Sequence, residues 1–172
     1  MNIFVVDKNP FVAAQSLCDK HVPKMIVESV QMLVSAIRRH GADDDGVPWT
    51  VKGTPHKGGY RNHPATVWAG DSDSNFDWLL MHGFGLCQEY TFRFGKEHSC
   101  WSQLAFLQKR VELVPPGPLT DVALCVGETF QNGVTHAPMQ DAVSVYRRFY
   151  RADKARFAVW ERGRPAPSWW IG

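Results

Sequence analysis

The sequence predicts a mainly α protein, a compact helical bundle with a short extended segment at its N-terminus. Three observations support this fold class: several stretches repeat apolar residues at helical spacing, several end at Gly or Pro, and runs with strand-like alternation are short. A chain of 172 residues has the size of one ordinary domain. We therefore expect residues 1–172 to form a single domain, with residues 151–172 as a basic and aromatic tail packed on it.

The N-terminal residues predict an extended segment followed by a capped helix. The run NIFVV is short, β-branched and aromatic, which is typical of a brief strand or an extended arm. Asn9 is then expected to cap a helix that has Pro10 at its first position. This helix is expected to run to Lys20, and Pro23 either kinks it or starts a new helix.

Two longer helices are predicted from their apolar residues and from their ends. The run KMIVESVQMLVSAIRRHG predicts a strong helix that finishes with two arginines and Gly41. The run SNFDWLLMHGFGLCQEYTFRFG predicts a long helix closed by Gly95. Gly83 and Gly85 lie inside it, and close packing against another helix is the simplest reason for them.

The remaining segments are predicted from their turn-forming residues. Residues 42–62 contain Gly, Pro and Asp without apolar periodicity and are expected to form a loop, after which Pro64 suits a first helical turn. The predictions for the rest of the chain are a helical stretch over 96–114, an irregular connection over 115–138 and a last helix over 141–160.

Composition and charge limit the classes of function. The formal net charge of +2 means that any nucleic-acid surface is local. The four cysteines lack a CxxC pair and a zinc-type spacing, so we expect reduced thiols and no metal site. No signal peptide and no apolar run of membrane-spanning length is visible, so we expect a cytoplasmic protein of a bacterial or phage-infected cell.

The central helix carries one narrow polar stripe on an otherwise apolar surface. At about 100° per residue, its polar side chains fall within one arc of roughly 100°. They are His21, Lys24, Glu28, Gln31, Ser35, Arg38 and Arg39. The helix is therefore expected to be largely buried, with its stripe lining a cleft or facing solvent, where Lys24 and Glu28 would be only an i,i+4 ion pair. Cys18 as a nucleophile, and a metal site of Asp19, His21 and Glu28, are weaker alternatives.

A second cluster of functional residue types lies in the glycine-led segment GGYRNHP, residues 58–64. Arg61 can contact a phosphate, and Asn62 and His63 can form hydrogen bonds with a base or a sugar. The alternative is local, because Asn62 or His63 can also cap the helix that begins at Pro64.

The last helix and the tail concentrate positive charge and aromatic rings. One face of the helix carries Arg147, Arg148, Arg151 and Lys154, opposite its aromatic residues. We expect Arg147, Arg148 and Arg151 to contact backbone phosphates, and Trp169 and Trp170 to stack on an extruded base. In the alternative interpretation the helix is an ordinary amphipathic one, and the two tryptophans pack on its aromatic face.

The order of these features resembles the pyrimidine-dimer DNA glycosylase (phage endonuclease V) family. Lys20 and Glu28 keep the eight-residue spacing of that family's first long helix, where the Glu is catalytic. GYRNHP matches a family segment almost letter for letter, CQEYTFRFGK is similar to a family helix end, and RPAPSWW is similar to a C-terminal segment. The opening NIFVVD, followed by CDKH, is also similar to uncharacterised phage proteins.

This resemblance implies an all-α enzyme, without metal or cofactor, that excises a damaged base from DNA and nicks the strand. It also implies that an N-terminal α-amine forms an imine with the sugar while Glu28 assists proton transfer. An α-amine has an ordinary pKa of about 7.7–8.0, against about 10.4 for lysine, so it is the more available nucleophile at neutral pH. Val27 stands where the family commonly has an Arg, whose contact Lys24 or Gln31 could replace. His21, on the same stripe, is a further catalytic candidate.

The second residue leaves the identity of the amine open. Asn2 is expected to hinder removal of the initiator Met, so the amine belongs to Met1, or to Asn2 if removal occurs. The sequence thus predicts a DNA glycosylase, with the lyase step that the family implies, acting on damaged or modified pyrimidines in duplex DNA with an extruded base. Two alternatives stay open: a phage DNA base-modifying enzyme that uses the same cleft, and a non-catalytic nucleic-acid-binding protein. No membrane association and no obligate protein partner are expected.

Overall fold

The fold is described by a computed structural model covering residues 1–171. In it 50% of the chain is helical, and the described residues contain one two-stranded antiparallel pair, which confirms the predicted mainly α class. The helices are α1 (Pro10–Ser16), α2 (His21–Arg39), α3 (Pro64–Ala69), α4 (Asp73–Phe94), α5 (Trp101–Gln108), α6 (Glu128–Gln131) and α7 (Met139–Lys154). The strands are β1 (Val122–Ala123) and β2 (His136–Ala137), and a 3-10 turn covers Val111–Leu113.

Helices α2 and α4 form the centre of the fold. Helix α1 packs on α4, and α3 packs on α2. Most of the circumference of α2 is inside the core, where Ile26, Leu33 and Ile37 are fully buried. The burial that the sequence predicts for most of this helix is therefore confirmed, and the surface left outside the core consists of the polar stripe and the exposed Val27.

Two glycines of α4 allow this helix to approach its neighbours closely. A Cβ atom at Gly83 would lie 3.0 Å from Leu104 of α5, and one at Gly85 would lie 3.0 Å from Ala14 of α1. Carbon atoms in good contact are about 3.5–4.0 Å apart, so a larger residue would push the helices apart. The close packing predicted from these glycines is confirmed. The predicted end of the helix is also confirmed, because Gly95 closes α4 with a φ of 69°.

The N-terminal residues form an extended arm and not a strand. Residues 3–6 run through the core with at most 4% exposure, and neither described strand pairs with them. Their polar groups find other partners. Asn2 Oδ1 accepts hydrogen bonds from the next two amides at 2.8 and 3.3 Å, and Arg147 Nε donates to the Val6 carbonyl at 2.7 Å. Of the two forms that the sequence predicts, the extended arm is the one observed.

The break between α1 and α2 lies earlier than predicted. The N-terminal cap is as expected, since Asn9 Oδ1 accepts hydrogen bonds from the first amides of α1 at 2.9 and 3.2 Å. The expected end at Lys20 is wrong, because α1 stops at Ser16. Helix α2 begins at His21 with Pro23 in its first turn, so this proline starts a new helix and does not kink an old one.

A buried ion-pair cluster around Arg93 of α4 explains this break. Arg93 Nη1 donates to the Leu17 carbonyl and to Asp19 Oδ1, both at 2.9 Å, and Arg93 Nε donates to Glu89 Oε1 at 2.7 Å. Arg164 of the tail donates to the same Glu89 carboxylate through two nitrogens, each at 2.8 Å. A continuous helix would use the Leu17 carbonyl in its own hydrogen-bond ladder. The cluster thereby joins the end of α1, the start of α2, α4 and the tail.

Helix α5 is shorter than predicted, and the connection after it is more regular. It covers Trp101–Gln108 within the expected 96–114. The His98 ring accepts a hydrogen bond from the Cys100 amide at 3.2 Å, a local turn that competes with helix formation. The connection over 115–138 contains β1, β2 and α6, and strands of two residues are too short to show alternation in a sequence.

Helix α7 spans Met139–Lys154, so both ends of the predicted helix over 141–160 are wrong. Beyond α7 the tail turns back towards the break between α1 and α2. The Val159 carbonyl accepts a hydrogen bond from the Asp19 amide at 2.9 Å, and the Glu161 amide donates to Asp19 Oδ2 at 2.8 Å. A helix that continued to residue 160 could not make these contacts.

Two expectations concern the whole chain. Within residues 1–171 no helix combines the length and the apolar content that a membrane crossing needs. A single domain over residues 1–172 stays a prediction, which the cluster around Arg93 favours because it ties the N-terminal helices to the tail.

Loss of Arg93 is expected to remove much of the stability of this fold. Arg93→Met leaves the buried carboxylates of Asp19 and Glu89 without their shared cation, and breaking a buried pair in this way costs about 3–5 kcal/mol. Arg164→Gln removes only the partly exposed partner of Glu89 and is expected to cost about 1–2 kcal/mol. Urea unfolding at pH 7 measures both losses. Equal losses would contradict the central position of Arg93 in the cluster.

Candidate active site and nucleic-acid interface

The polar stripe of α2 borders two cavities. The first, which we call the N-terminal cleft, has a volume of about 240 Å³ and is lined by Met1, Asn2, Phe4, His21, Lys24, Glu28, Cys125, Phe149 and Lys154. The second, which we call the arginine cavity, has a volume of about 260 Å³ and is lined by Ser35, Arg38, Arg39, Lys57, Arg61, Asn62 and Val67. Gln31 lies between them on the stripe and packs against Gly59. The stripe therefore lines clefts, as one of its two sequence interpretations expects.

Glu28 brings the start of the chain and the polar stripe together. Its Oε2 accepts a hydrogen bond from the Asn2 amide at 3.0 Å and lies 3.9 Å from the Met1 α-amine. Its Oε1 lies 3.5 Å from Lys24 Nζ, so the i,i+4 ion pair is present as well. The Glu28 side chain is 13% exposed. A carboxylate at this distance from the N-terminus can take a proton from an amine there or give one back.

The first two residues are held from several sides. The Met1 side chain is fully buried, and Thr66 Oγ1 of α3 donates a weak hydrogen bond to its Sδ at 3.7 Å. Asn2 Nδ2 donates to the Cys125 carbonyl at 2.6 Å. The N-terminal nitrogens are therefore placed by α3 on one side and by the segment after β1 on the other, which fixes their position beside Glu28.

His21 is a buried wall of the N-terminal cleft. Its Nδ1 lies 2.7 Å from the Tyr150 hydroxyl of α7, and its ring stacks on Phe4 with 4.8 Å between centroids. Burial lowers the pKa of His21 to about 3, helped by the positive charges of three lysines, Lys154, Lys24 and Lys20. The ring is therefore neutral at physiological pH. This arrangement favours a positioning role, in which His21 holds Phe4 of the arm against α7, over a role as a proton donor.

Four residues that line the cleft are not among the site residues that the sequence predicts. They are Phe4, Cys125, Phe149 and Lys154. Lys154 Nζ lies 5.4 Å from the centroid of the Phe4 ring and 5.0 Å from that of Phe149, so it adds positive charge above an aromatic floor. Burial raises the pKa of the Cys125 thiol, which makes it a protonated wall and not a thiolate. Only Lys154 gave a signal in the sequence, through its place on the basic face of α7.

The segment GYRNHP runs between the two cavities. His63 caps α3, as the local interpretation expects, because its Nδ1 accepts a hydrogen bond from the Ala65 amide at 3.3 Å. Burial and the positive charge of the N-terminus lower the pKa of His63, whereas the negative charge of Glu28 raises it. Because both charges act on the His63 ring, the ring lies close to the N-terminal cleft. Arg61 and Asn62 are exposed and line the arginine cavity.

Reciprocal hydrogen bonds fasten this loop to α2. Ser35 Oγ donates to the Gly59 carbonyl at 3.0 Å and accepts from the Gly59 amide at 2.8 Å. Gly58 has a φ of +73°, and a Cβ atom there would collide with Ser35 Oγ, so only glycine fits. Tyr60 has a φ of 52°, which is uncommon for a residue with a side chain and costs about 1–3 kcal/mol.

The arginine cavity has more positive charge than its ion pairs neutralise. Arg38 pairs with Asp44 at 2.7 Å and Arg39 pairs with Asp71 at 3.0 Å. Within residues 1–171, Lys57 and Arg61 form no ion pair. Cations that are exposed and unpaired beside a concave surface are the arrangement that phosphate binding requires.

Comparison with known protein families identifies the family of the chain. A family model described as pyrimidine dimer DNA glycosylase matches residues 1–103. The chain belongs to the pyrimidine dimer DNA glycosylase family. The resemblance drawn from the sequence is therefore confirmed, and at the level of the family the chain is a DNA glycosylase with DNA as its substrate. No curated protein and no solved structure matches it.

In this member of the glycosylase family the matched residues include Glu28 and the GYRNHP loop, whereas α7 and the tail lie outside the match. No group of three or more His, Cys, Asp and Glu side chains in residues 1–171 is placed to hold a metal ion. The metal site of Asp19, His21 and Glu28 is thus not assembled, because Asp19 binds Arg93 instead.

The arginines of α7 in this glycosylase have partners within the chain. Arg147 pairs with Asp7 of the arm at 3.1 Å, and Arg151 Nη1 donates to the Trp169 carbonyl at 3.4 Å. Arg148 is exposed and donates to the Phe130 carbonyl at 3.1 Å. Arg147 and Arg151 therefore hold the arm and the tail in place. Of the three, Arg148 is the one whose exposure leaves it open to a phosphate.

The tail tryptophans of the glycosylase take part in packing. Trp169 and Trp170 are partly buried and meet the Tyr150 ring edge-on, with 5.9 and 6.1 Å between centroids. Trp170 also packs against Trp160 at 4.9 Å. This is the arrangement of the alternative sequence interpretation. Stacking of either ring on a base would require the tail to leave α7.

The buried His21 is expected to make the stability of the glycosylase depend on pH. Its folded-state pKa of about 3 lies below the ordinary 6.5, so the unfolded chain binds the extra proton first. The contribution of His21 to the free energy of unfolding is then fully present above pH 6.5. It decreases by about 1.4 kcal/mol per pH unit as the pH drops towards 3. Urea unfolding at pH 7, 6 and 5 should show a smaller slope in His21→Gln. The exposed His136→Gln should keep the wild-type slope, and an unchanged slope in His21→Gln would refute this account.

Gly58→Ala is expected to displace the GYRNHP loop. The new methyl group meets Ser35, so the variant should lose about 1–3 kcal/mol more than Gly53→Ala does. Gly53 is the matched control, because it also has a positive φ, +69°, but has open space around it. Unfolding in urea measures the difference. If the two variants lose equal stability, the contact with Ser35 does not hold the loop.

Proposed function

We propose that this chain is a base-excising DNA glycosylase with a lyase step, and that it acts on damaged or modified pyrimidines in duplex DNA. One observation carries the proposal: in a chain of this family, the Glu28 carboxylate lies 3.0 Å from the second backbone nitrogen and 3.9 Å from the first. An amine next to a carboxylate, in a cleft with positive charge around it, is the equipment for imine formation with a sugar.

The proposed reaction begins with attack of the neutral amine on C1′ of the target sugar. The new N–C1′ bond forms as the bond between C1′ and the base breaks, and the base leaves with the electron pair and takes a proton from solvent. Glu28 accepts a proton from the attached nitrogen and gives it to the ring oxygen, which opens the sugar to an imine. The same carboxylate then removes a proton from C2′, and the 3′ phosphate leaves, which nicks the strand.

The identity of the amine follows from whether Met1 is retained. With Met1 in place, its α-amine is the free amine, and the nitrogen of Asn2 is an amide that cannot attack. Removal of Met1 would make the Asn2 nitrogen a free amine already 3.0 Å from Glu28 Oε2. It would also open the space that the buried Met1 side chain fills beside Thr66. The mass of the intact protein decides between the two.

Positive charge around the two cavities supports a path for the DNA backbone. Lys24 and Lys154 border the N-terminal cleft, and Lys57 and Arg61 border the arginine cavity. Asn62 lines the same cavity and can donate to a phosphate or a base. In the proposed complex these groups hold the strand, while the target nucleotide is extruded into the cleft. Gln31 lies on the polar stripe between the two cavities, where it can contact the same strand.

Glu28→Gln is expected to lower imine trapping and strand nicking by about 10²–10⁴-fold, the usual contribution of general acid–base catalysis. The amide keeps the size of the side chain but cannot take up a proton. The measurement uses duplexes that contain either a thymine dimer or an abasic site, and borohydride reduction to trap the imine. Glu112→Gln, in the exposed 3-10 turn, is the matched control and should keep wild-type activity.

Two outcomes would refute the proposal. One is the absence of a borohydride adduct in the wild type, and the other is full activity in Glu28→Gln. Peptide mapping of the adduct locates the amine, and an adduct at Lys24 or Lys154 would replace the N-terminal amine as the nucleophile. Mass spectrometry of the nucleosides separates excision from modification, because excision loses a base whereas modification creates a new one.

A further inference from the structure

Tyr60 is an aromatic residue that the fold leaves without a packing role. Its side chain is 64% exposed. Within residues 1–171 its ring meets no other aromatic ring and no cation, and its hydroxyl forms no hydrogen bond. A tyrosine that contributes nothing to the core is free to contact another molecule, and its place in the loop determines which part of that molecule it can reach.

The backbone holds Tyr60 in a fixed orientation. Its φ of 52° belongs to the left-handed region that ordinarily favours glycine. The Tyr60 carbonyl accepts a hydrogen bond from the His63 amide at 2.8 Å, and the preceding Gly59 is bound to Ser35 of α2. A turn of this kind would form more easily with glycine at this position. The presence of a large ring there, on a fastened loop, is a pattern found at binding sites.

In the chain, Tyr60 lies between residues that border the arginine cavity and a residue close to the N-terminal cleft. Lys57 and Arg61, which lie on either side of it in the chain, have their positive charges at the arginine cavity. His63, three residues later, lies within reach of the charges of Glu28 and the N-terminus. A strand whose phosphate binds at the arginine cavity, and whose target nucleotide enters the N-terminal cleft, would follow the segment that carries the exposed Tyr60 ring.

We propose that Tyr60 inserts into the base stack of the duplex at the step from which the target base is extruded. The inference rests on the proposed function, because it requires duplex DNA with an extruded base. Extrusion leaves a gap that exposes the faces of the neighbouring bases, and an inserted side chain covers them and keeps the gap open. A planar ring suits any sequence, since every base has a face on which it can stack. The tail tryptophans are packed against Tyr150 and cannot do this without leaving it.

Trp49 provides a matched control within the same loop. It is 56% exposed, which is similar to Tyr60. Its backbone pairs with Pro55, and its carbonyl accepts a hydrogen bond from Gln103 of α5 at 2.8 Å, so it is tied to another part of the fold. Neither Trp49 nor Tyr60 lines either cavity, but Trp49 lies outside residues 57–63, the segment that joins the arginine cavity to the surroundings of Glu28. Loss of this ring removes the same kind of exposed surface without touching the path between the cavities.

The test compares Tyr60→Ala, Tyr60→Phe and Trp49→Ala with the wild type on a duplex that has 2-aminopurine opposite an abasic site. Insertion unstacks the fluorescent base, so its emission should rise on binding of the wild type, Tyr60→Phe and Trp49→Ala, but not of Tyr60→Ala. Borohydride trapping on this duplex should slow by about tenfold in Tyr60→Ala, the size of one base–aromatic stack. On a single-stranded abasic oligonucleotide, where no stack has to be opened, the four proteins should trap at the same rate.

The outcomes separate this inference from the proposed function. An equal fluorescence rise in Tyr60→Ala and the wild type, or no rise in the wild type, overturns insertion even where trapping succeeds. A fluorescence difference without any trapped adduct overturns the lyase chemistry and supports insertion. A loss of trapping in Tyr60→Ala on both the duplex and the single strand overturns insertion as well, because the ring would then act on the chemistry and not on the stack.

Discussion

Burial of the first residues inside the fold is the constraint on which the candidate site depends. Residues 3–6 are at most 4% exposed. Because neither described strand pairs with this segment, its buried backbone amides need other hydrogen-bond acceptors. Asn2 Oδ1 accepts a hydrogen bond from the Ile3 amide, and Asn2 Nδ2 donates to the carbonyl of Cys125. As a result the N-terminal nitrogens are held beside Glu28. An N-terminus outside the core would keep its amine mobile, and the proximity on which an attack on a sugar depends would be lost.

The Arg93 cluster contributes to the same placement although it touches no residue of the cleft. It takes Leu17 and Asp19 out of the helical ladder, and α2 can therefore begin at His21. Seven residues, about two helical turns, separate His21 from Glu28, so both face the same side of α2. His21 holds the arm through Phe4, and Glu28 meets its nitrogens. The buried ion pairs, the arm and the reactive groups are thus parts of one packing arrangement.

The features that the sequence predicts well depend on neighbours close in the chain. The stripe that carries Glu28 follows from helical periodicity, and the ends of helices at Asn9 and Gly95 follow from local capping chemistry. The features that it misses depend on residues far apart in the chain. The end of α1 is set by Arg93 of α4, the wall of the cleft includes Lys154 of α7, and no pattern of residue types reports such contacts. The left-handed φ of Tyr60 is equally invisible, because tyrosine is not a residue that predicts it.

The distribution of charges along α2 makes the two cavities electrostatically different. A carboxylate repels phosphate, and at Glu28 the charge is offset by Lys24 at 3.5 Å and by the α-amine at 3.9 Å. The unpaired cations lie instead at the arginine cavity, near Ser35, two helical turns or about 10 Å further along. In the proposed complex, a phosphate bound there would lie about this far along α2 from the nucleotide in the cleft. The GYRNHP loop (residues 59–64) runs between the two cavities, with Arg61 at the arginine cavity and His63 close to the charges of Glu28 and the N-terminus. In the proposed complex, one segment fastened to α2 would therefore serve both the backbone contact and the base chemistry.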